Sequence, residues 1–334
     1  MIDPQPIHPF AWTPQPWGRA LQSSVFARVA PHLFTTRDLP LRGPGEKNGW
    51  ARLAASAGVG PDRLIRLKQV HGVEVVVIHA TESRRKAGNI GAPKPIGFPP
   101  SESGHGRPRA DIDPPITPIT AIGGGDGRMP DDAWPRADIV MTDDPTVAVA
   151  VQVADCVPLL LADPVTGAVA AVHGGWRGTA AGIARVAVAA VSGRFGARPA
   201  DLLAAIGPSI GACCYQVGPD VLGAFRAAGF SDDNLRSWFR PDEPIVEDKK
   251  AIVAQGAEPI VAQSFSRVNA RYRLDVPKAI VDQLLAAGLA PANIAACGLC
   301  TACNPSLFPS YRRDGVGTGR IAGVIRPGCD GRWR

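Results

Sequence analysis

Three separated segments carry side chains of the types that bind a metal ion. His71 lies in Gln69-Val70-His71-Gly72, Cys156 in Ala154-Asp155-Cys156-Val157-Pro158, and His173 in Val172-His173-Gly174-Gly175-Trp176-Arg177-Gly178. Two imidazoles and one thiolate suit a zinc ion whose fourth position stays open, the make-up of a catalytic rather than a structural zinc. Cys156 and His173 also read as the nucleophile and base of a cysteine hydrolase, a chemistry that a bound metal would abolish by consuming the thiolate. A third reading is a binding protein that keeps the metal as a staple. Arg177, four residues after His173 and beside a helix start, argues against it, because a staple needs ligands and no anion pocket.

Histidine arithmetic narrows the metal chemistry. A mononuclear copper plus a three-copper cluster requires about ten histidines by the usual ligand preferences of copper. The chain has six, at 8, 32, 71, 79, 105 and 173, and no His-x-His pair. A single copper remains a substitute for zinc at the triad, since copper binds such ligands more tightly. The deaminase type of zinc site uses His-x-Glu with Pro-Cys-x-x-Cys, whereas this chain has His71-Gly72-Val73-Glu74 and no Pro-Cys-x-x-Cys. Deamination by a metal-bound hydroxide would need another acid/base, for which Asp155, next to Cys156, is the candidate. Its plainer role is to shape the turn by an Asx-type hydrogen bond.

The elements that must position these residues are legible in the hydrophobic pattern. Leu64 to Val70 and Val73 to Ile78 read as strand runs with β-branched residues, broken by Gly72, which puts His71 at a strand end or tight turn. Thr146–Ala154, Val157–Ala162 and Ala168–His173 read as short strands, the last two joined by the turn 163–167, so Cys156 and His173 fall at neighbouring strand ends. Thr179–Phe195 has helical spacing, with Thr179 as N-cap and Gly196 as stop. The turn before it would present free amides at a helix N-terminus, an anion site with Arg177 beside it. Leu202–Ile206 predicts a strand, Pro219–Ala228 and Asp275–Leu289 helices, Ile294–Cys300 a strand, and Tyr311–Ile325 two arginine-rich turns with a closing strand. Interleaved strands and helices predict one α/β domain of mixed β-sheets flanked by helices.

Residues 84–136 stand apart, with ten prolines and nine glycines among 53 residues. That fraction exceeds the roughly 25–30% at which a low-complexity reading applies, so the segment is expected to be an insertion or mobile loop outside the core. Residues 1–24 are expected to form an N-terminal extension, 25–326 the catalytic domain and 327–334 a tail. The chain is long enough to bury a large core, and 45% hydrophobic with 20% charged residues is an ordinary globular composition. No apolar run approaches the roughly 20 residues that cross a bilayer, and Met1-Ile2-Asp3-Pro4 is unlike a secretion signal, so a cytoplasmic location without membrane contact is expected. The net charge of +6 is scattered, without basic runs interleaved with aromatics, which points to small anions such as phosphate rather than nucleic acid.

Seven cysteines, an odd number, do not read as a disulfide framework. Cys297, Cys300 and Cys303 begin like an iron–sulfur ligand run, but the fourth cysteine is missing, Leu307 standing in its place. Buried or facing thiols are expected there. Cys213 and Cys214 are expected to be structural, since vicinal cysteines seldom chelate one metal together.

The three opening segments, with Ile206-Gly207-Pro208, Ser310-Tyr311-Arg312-Arg313-Asp314 and Thr318-Gly319-Arg320, resemble the laccase-domain family. That family is also called multicopper polyphenol oxidase, YfiH-like or peptidoglycan editing factor. The resemblance spans roughly 25–83 and 137–326, with the blocks in the family's order. It implies a YfiH-like fold, zinc bound at His71, Cys156 and His173, and activity on purine nucleosides with phosphate. The implied reactions are phosphorolysis of adenosine, inosine and methylthioadenosine, with adenosine deamination as a further activity. Other members imply copper-dependent, laccase-like phenol oxidation or editing of peptidoglycan precursors. Arg37, Gln69, Arg177, Arg312 and Arg320 become substrate or phosphate contacts, and Cys300 a further family position. A monomer or homodimer is expected. Three departures stand out: Gly174 where alanine is common, Pro309 splitting the aromatic-Ser-Tyr-Arg-Arg stretch, and Gly317 lengthening the turn before Thr318.

Overall fold

The segment Val157–Ala162 is apolar throughout and every residue in it is buried. A strand of that kind needs cover on both faces, and the architecture follows from supplying it. The structure, a computed structural model, describes residues 4–78, 116–119, 134–242 and 270–328. The strands in the first half are β1 (Phe10–Gln15), β2 (Gly18–Ser23), β3 (His32–Thr35), β4 (Leu64–Ile65), β5 (Val75–Ile78), β6 (Ile116–Ile119), β7 (Ile139–Thr142) and β8 (Ala148–Val153). Those in the second half are β9 (Val157–Ala162), β10 (Val169–Gly174), β11 (Leu203–Ile206), β12 (Gln216–Val217), β13 (Phe239–Asp242), β14 (Arg271–Leu274), β15 (Ile294–Ala296) and β16 (Ile321–Ile325).

They form a six-stranded sheet in the order β1-β2-β3-β16-β8-β4 and a seven-stranded sheet in the order β15-β11-β9-β10-β7-β5-β6, with a small sheet β12-β14-β13. Both large sheets are mixed. β9 runs antiparallel to β10 and β11, while β5 pairs parallel with β7 and β6.

Alternation of side chains along the strands assigns the layers. Val157, Leu159 and Leu161 of β9 face a core built with the helices Ile183–Phe195, Pro219–Ala227 and Val276–Ala286. Leu160 and Ala162 point the other way, into a second core shared with Phe34, Val149, Val151, Val153 and Ile325 of the six-stranded sheet. The outer face of that sheet, through Ala148, Ala150 and Val324, is covered by Trp50, Leu53 and Ala54 of the helix Glu46–Ser56. The order is therefore helix, sheet, sheet, helices. Each fully buried Val or Leu in these cores contributes about 1.5–3 kcal/mol of transfer free energy. Among the described residues, no helix is long and apolar enough to cross a membrane.

Several expectations need revision. Residues 10–23 are integrated into the six-stranded sheet as the β1–β2 hairpin, with Phe10 and Leu21 in the central core, because their apolar positions alternate as a strand's do. Of the Pro/Gly-rich segment, Ile116–Ile119 forms the edge strand β6, and most of the remainder lies outside the described residues. The helix expected over 179–195 is two helices, Trp176–Ala180 and Ile183–Phe195, split by Gly182 at φ 81°. Gly175 takes the N-cap position, since the Thr179 hydroxyl is buried and donates to the Gly175 carbonyl at 2.9 Å. Gly174 ends β10, where a Cβ would come within 2.5 Å of Ile280 Cδ1.

His32, in β3, is held neutral inside the fold. Its Nε2 accepts from the Ser23 amide at 2.9 Å and its Nδ1 pairs with the Ala30 carbonyl at 3.0 Å. Burial, only partly opposed by the Ala30 contact, lowers its pKa from 6.5 to about 4. The unfolded chain thus takes up a proton that the folded chain refuses, so stability is full above pH 6.5 and falls as pH drops towards 4. The loss amounts to about 3 kcal/mol. Chemical denaturation of wild type and His32→Gln across this range is expected to show the wild type losing stability more steeply; parallel curves would refute the assignment.

Candidate metal centre

β8 belongs to the six-stranded sheet and β9 to the seven-stranded one, with only Ala154, Asp155 and Cys156 between them. Cys156 therefore sits at the corner where the chain changes sheets. In the neighbouring register His173 pairs with Pro158 and Gly174 with Val157, which brings His173 to the same corner. His71 arrives on the loop before β5. The Nδ1/Nε2 and Sγ atoms of His71, Cys156 and His173 all lie within 4.8 Å of one another, the two imidazole rings meeting edge to face at 4.8 Å.

A residue that the sequence reading missed holds this arrangement. Asp138, just before β7 and inaccessible to solvent, accepts hydrogen bonds from the amides of Val70 (3.2 Å), His71 (3.0 Å) and Gly72 (2.7 Å). Its Oδ1 also accepts from His173 Nδ1 at 2.7 Å. A carboxylate only accepts, so Nδ1 carries the proton and Nε2 presents its lone pair to the metal position. Burial works against the charge on Asp138, but the His173 hydrogen bond and the loop amides outweigh it and hold the carboxyl below its usual range. The only signal in the sequence was an acidic residue opening an apolar strand.

The donors are electronically prepared for a cation. Burial would push the Cys156 thiol up, yet the facing imidazoles, His173 first, bring it down to about 6. His173 moves the opposite way, to about 9, because the Cys156 thiolate and Asp138 outweigh its own burial. A thiolate facing an imidazolium is the pair that a divalent metal replaces when it displaces the proton. The backbone is strained here as well: His71 (φ 64°) and Asp155 (φ 89°) are the positive-φ residues other than glycine among those described. Gly175 closes the floor of the site, where a Cβ would lie 2.9 Å from the His71 ring and 3.3 Å from Cys156 Sγ.

Around the triad the structure gathers cations. Arg312 donates its backbone N–H to Asp155 Oδ2 at 2.6 Å and a guanidinium N–H to the Gln216 carbonyl at 2.7 Å, and its guanidinium lies 5.0 Å from the Tyr215 ring centre. Arg177 stacks on Trp176 at 4.4 Å. Tyr215, also absent from the sequence reading, is pushed up to about 12 by burial and by the negative charge of Cys156, with Arg312 and Arg177 in the same field. Arg320 donates to the Thr318 and Gly319 carbonyls, and its pKa is lowered by burial and by the neighbouring Arg42. Arg42, which the sequence reading missed, also donates to the Thr318 carbonyl, at 3.5 Å, so the two side chains converge on one backbone group.

Other expected site residues take different places. Gln69 has both ends of its amide engaged by the backbone of Gln152 in β8, at 2.8 and 2.9 Å, so it anchors the His71 loop. The Asp155 carboxylate makes no local Asx turn in its described bonds. Instead it accepts from Thr301 Oγ1 at 2.6 Å and from the Arg312 amide, tying two distant loops to the corner. Arg37 is exposed, its N–H donating to the Leu307 carbonyl at 2.8 Å, and none of its described contacts reaches the triad. Cys300 joins a separate group of cysteines. Arg313, beside Arg312, is structural: it pairs with Asp314 and donates to the carbonyls of Thr301, Ala302 and Phe308.

Asp138→Asn keeps the shape but sets a donor against the His71 loop amides and His173. Metal affinity, measured by competition with a chromophoric chelator, is expected to fall about 10–100-fold while the fold survives. Undiminished affinity would remove Asp138 from the site.

Comparisons with known proteins place the chain in a family. The family described as multi-copper polyphenol oxidoreductase laccase matches residues 46–327. Purine nucleoside phosphorylase YlmD of Geobacillus stearothermophilus is 36% identical over 193 residues, 58% of this chain and 61% of that protein. The chain thus spans about three-fifths of the length of that relative. A purine nucleoside phosphorylase of Deinococcus radiodurans is 32% identical over 275 residues, 82% of this chain and 74% of its own length. Among solved structures, the Bacillus licheniformis hypothetical protein YfiH superposes with a TM-score of 0.66 at 25% identity, covering 96% of this chain and all of that one. YlmD from Geobacillus stearothermophilus gives a TM-score of 0.63 at 26% identity, covering 92% and 96%. With most of its length matched by sequence and by fold, the chain belongs to the multi-copper polyphenol oxidoreductase laccase family.

Proposed function

We propose that the chain is a zinc-dependent purine nucleoside phosphorylase acting on adenosine, inosine and methylthioadenosine. The observation that carries this reading is a two-histidine, one-cysteine site with its ligands oriented by a buried carboxylate, next to several arginines. The names of the relatives support the same class. In phosphorolysis a phosphate oxygen bonds to the ribose C1′ as the glycosidic C–N bond breaks, giving ribose 1-phosphate and the free purine. Positive charge grows on the sugar while an anion is held against it, so cations that fix the phosphate matter more than a lone base.

Arg312 and Arg177 are assigned to phosphate, with Arg320 as an outer contact. Asp155 positions Arg312 by holding its amide, and Tyr215 offers an aromatic face beside it. The donor set fits zinc: two imidazole nitrogens and a thiolate already brought down in pKa. A zinc ion at these residues supplies a Lewis acid with an open position.

Adenosine deamination is carried as an additional activity, with its proton-handling group outside Asp155, whose two oxygens are engaged by Thr301 and Arg312. Laccase-like multicopper oxidation is less well supported. Among the described residues the other candidate metal group is made of cysteines alone, and His32 is committed to Ser23 and Ala30. A cysteine hydrolase editing peptidoglycan precursors is disfavoured by two imidazoles facing the one thiol, a ligand arrangement rather than a nucleophile with its base.

Adenosine and inosine, each with and without phosphate, test this directly on wild type and Cys156→Ala. Phosphate-dependent ribose 1-phosphate is expected from wild type, falling at least 100-fold in Cys156→Ala, a loss of about 3 kcal/mol of transition-state stabilisation. Arg312→Ala is expected to raise the KM for phosphate about tenfold, the scale of one charge-assisted contact. Absence of ribose 1-phosphate in every condition would sink the phosphorylase reading, and copper-dependent phenol oxidation alone would replace it.

A further inference from the structure

Four cysteines converge outside the triad. The Sγ atoms of Cys213, Cys214, Cys300 and Cys303 all lie within 4.8 Å of one another, with Cys303 at 3.5 Å from Cys213 and 3.3 Å from Cys214. Cys297, although in sequence register with Cys300 and Cys303, is buried in the central core instead. Vicinal cysteines argued against a shared metal, but folding adds the Cys-x-x-Cys pair from a loop 86 positions further along the chain. A tetrahedral ion with metal–sulfur bonds of about 2.3 Å requires sulfurs about 3.8 Å apart, close to the 3.3 and 3.5 Å found at Cys303 and within the 4.8 Å that encloses all four.

We propose that Cys213, Cys214, Cys300 and Cys303 form a second metal site, a four-thiolate structural site for a thiophilic divalent cation of the zinc class. Its surroundings are built for a cluster of thiolates. The Gly211 amide donates to Cys300 Sγ at 3.3 Å, and Gly211 allows the approach, since a Cβ there would stand 3.3 Å from Cys213 Sγ and 3.5 Å from Cys300 Cβ. Arg273 donates to the Cys213 carbonyl and Arg313 to the Ala302 carbonyl, each also paired with a carboxylate, Asp242 and Asp314, so both hold the loop backbone around the sulfurs.

The site joins two loops that frame the triad. Residues 209 and 300 already pair as an isolated bridge, the Thr301 amide donates to the Ser209 carbonyl, and the Ile210 amide donates to the Asp155 carbonyl. A metal at the four cysteines locks together the loop carrying Tyr215 and the loop carrying Thr301. It acts on position, not on substrate, and does not depend on which reaction the triad performs.

Metal analysis of protein produced with supplemented zinc tests the site without any activity measurement. Two zinc ions per chain are expected in wild type and one each in Cys303→Ser and Cys156→Ala. Cys303 is exposed, so its substitution leaves the core untouched. Cobalt substitution of the folded wild type supplies a second readout: Cys156→Ala is expected to keep intense thiolate-to-cobalt charge transfer and tetrahedral bands, and Cys303→Ser to lose most of them. One zinc per chain in wild type, wholly lost in Cys156→Ala, overturns the proposal. So does a Cys303 disulfide that persists in protein kept reduced and supplied with zinc.

Discussion

A single buried carboxylate, Asp138, accepts four N–H groups from two parts of the chain far apart in sequence, the His71 loop and the end of β10. An ionised group without solvent contact survives only when its lone pairs are filled. The fold fills them with the very residues that a metal site requires. Backbone amides fix where His71 begins, and the imidazole of His173 is fixed in both tautomer and orientation. Remove that charge and the amides of the loop lose their acceptor, so the conformation of His71, at positive φ, loses its main support. The strained geometry of the site and the ionised carboxylate beneath it are two sides of one constraint.

A second constraint acts from the opposite side. Asp155 accepts from Thr301 and from the Arg312 amide, residues far away in sequence, and sits in the three-residue link between the sheets. One carboxylate thus organises ligands and the other organises cations. Both are positioning groups, and both are buried.

The parts of this structure written in local patterns were readable in advance. Val157–Ala162 is a strand with the bounds its apolar run suggests, Gly196 stops its helix, and Cys156 and His173 meet at neighbouring strand ends as the 163–167 turn requires. What local pattern cannot carry is a partner chosen by tertiary folding. Asp138 looks like any acidic residue ahead of a strand, and its role appears only when the His71 loop is laid against it. Thr179 has the chemistry of an N-cap, but Gly182 at positive φ breaks the helix and gives the hydroxyl a different acceptor. Arg42 and Tyr215 come close to the site through long loops, and Gln69 matches a site motif yet spends its amide on Gln152. Residues 10–23 show the reverse case, strands whose alternation was present but whose sheet lay far along the chain.

The link between β8 and β9 has a mechanical meaning. β8 is fixed in register against β16 over five residues, and β9 against β10 over six. Any displacement of Cys156 must slip one of those ladders, and a slip of one residue would turn the apolar side chains of a whole strand out of their core. The thiolate is therefore mounted between two ladders that resist slipping, whereas the Arg312 guanidinium reaches the site from a short helix, Tyr311–Asp314, outside both sheets. Any adjustment to ligands of different size would fall to that arginine, and the Cys156 sulfur would stay where the ladders hold it.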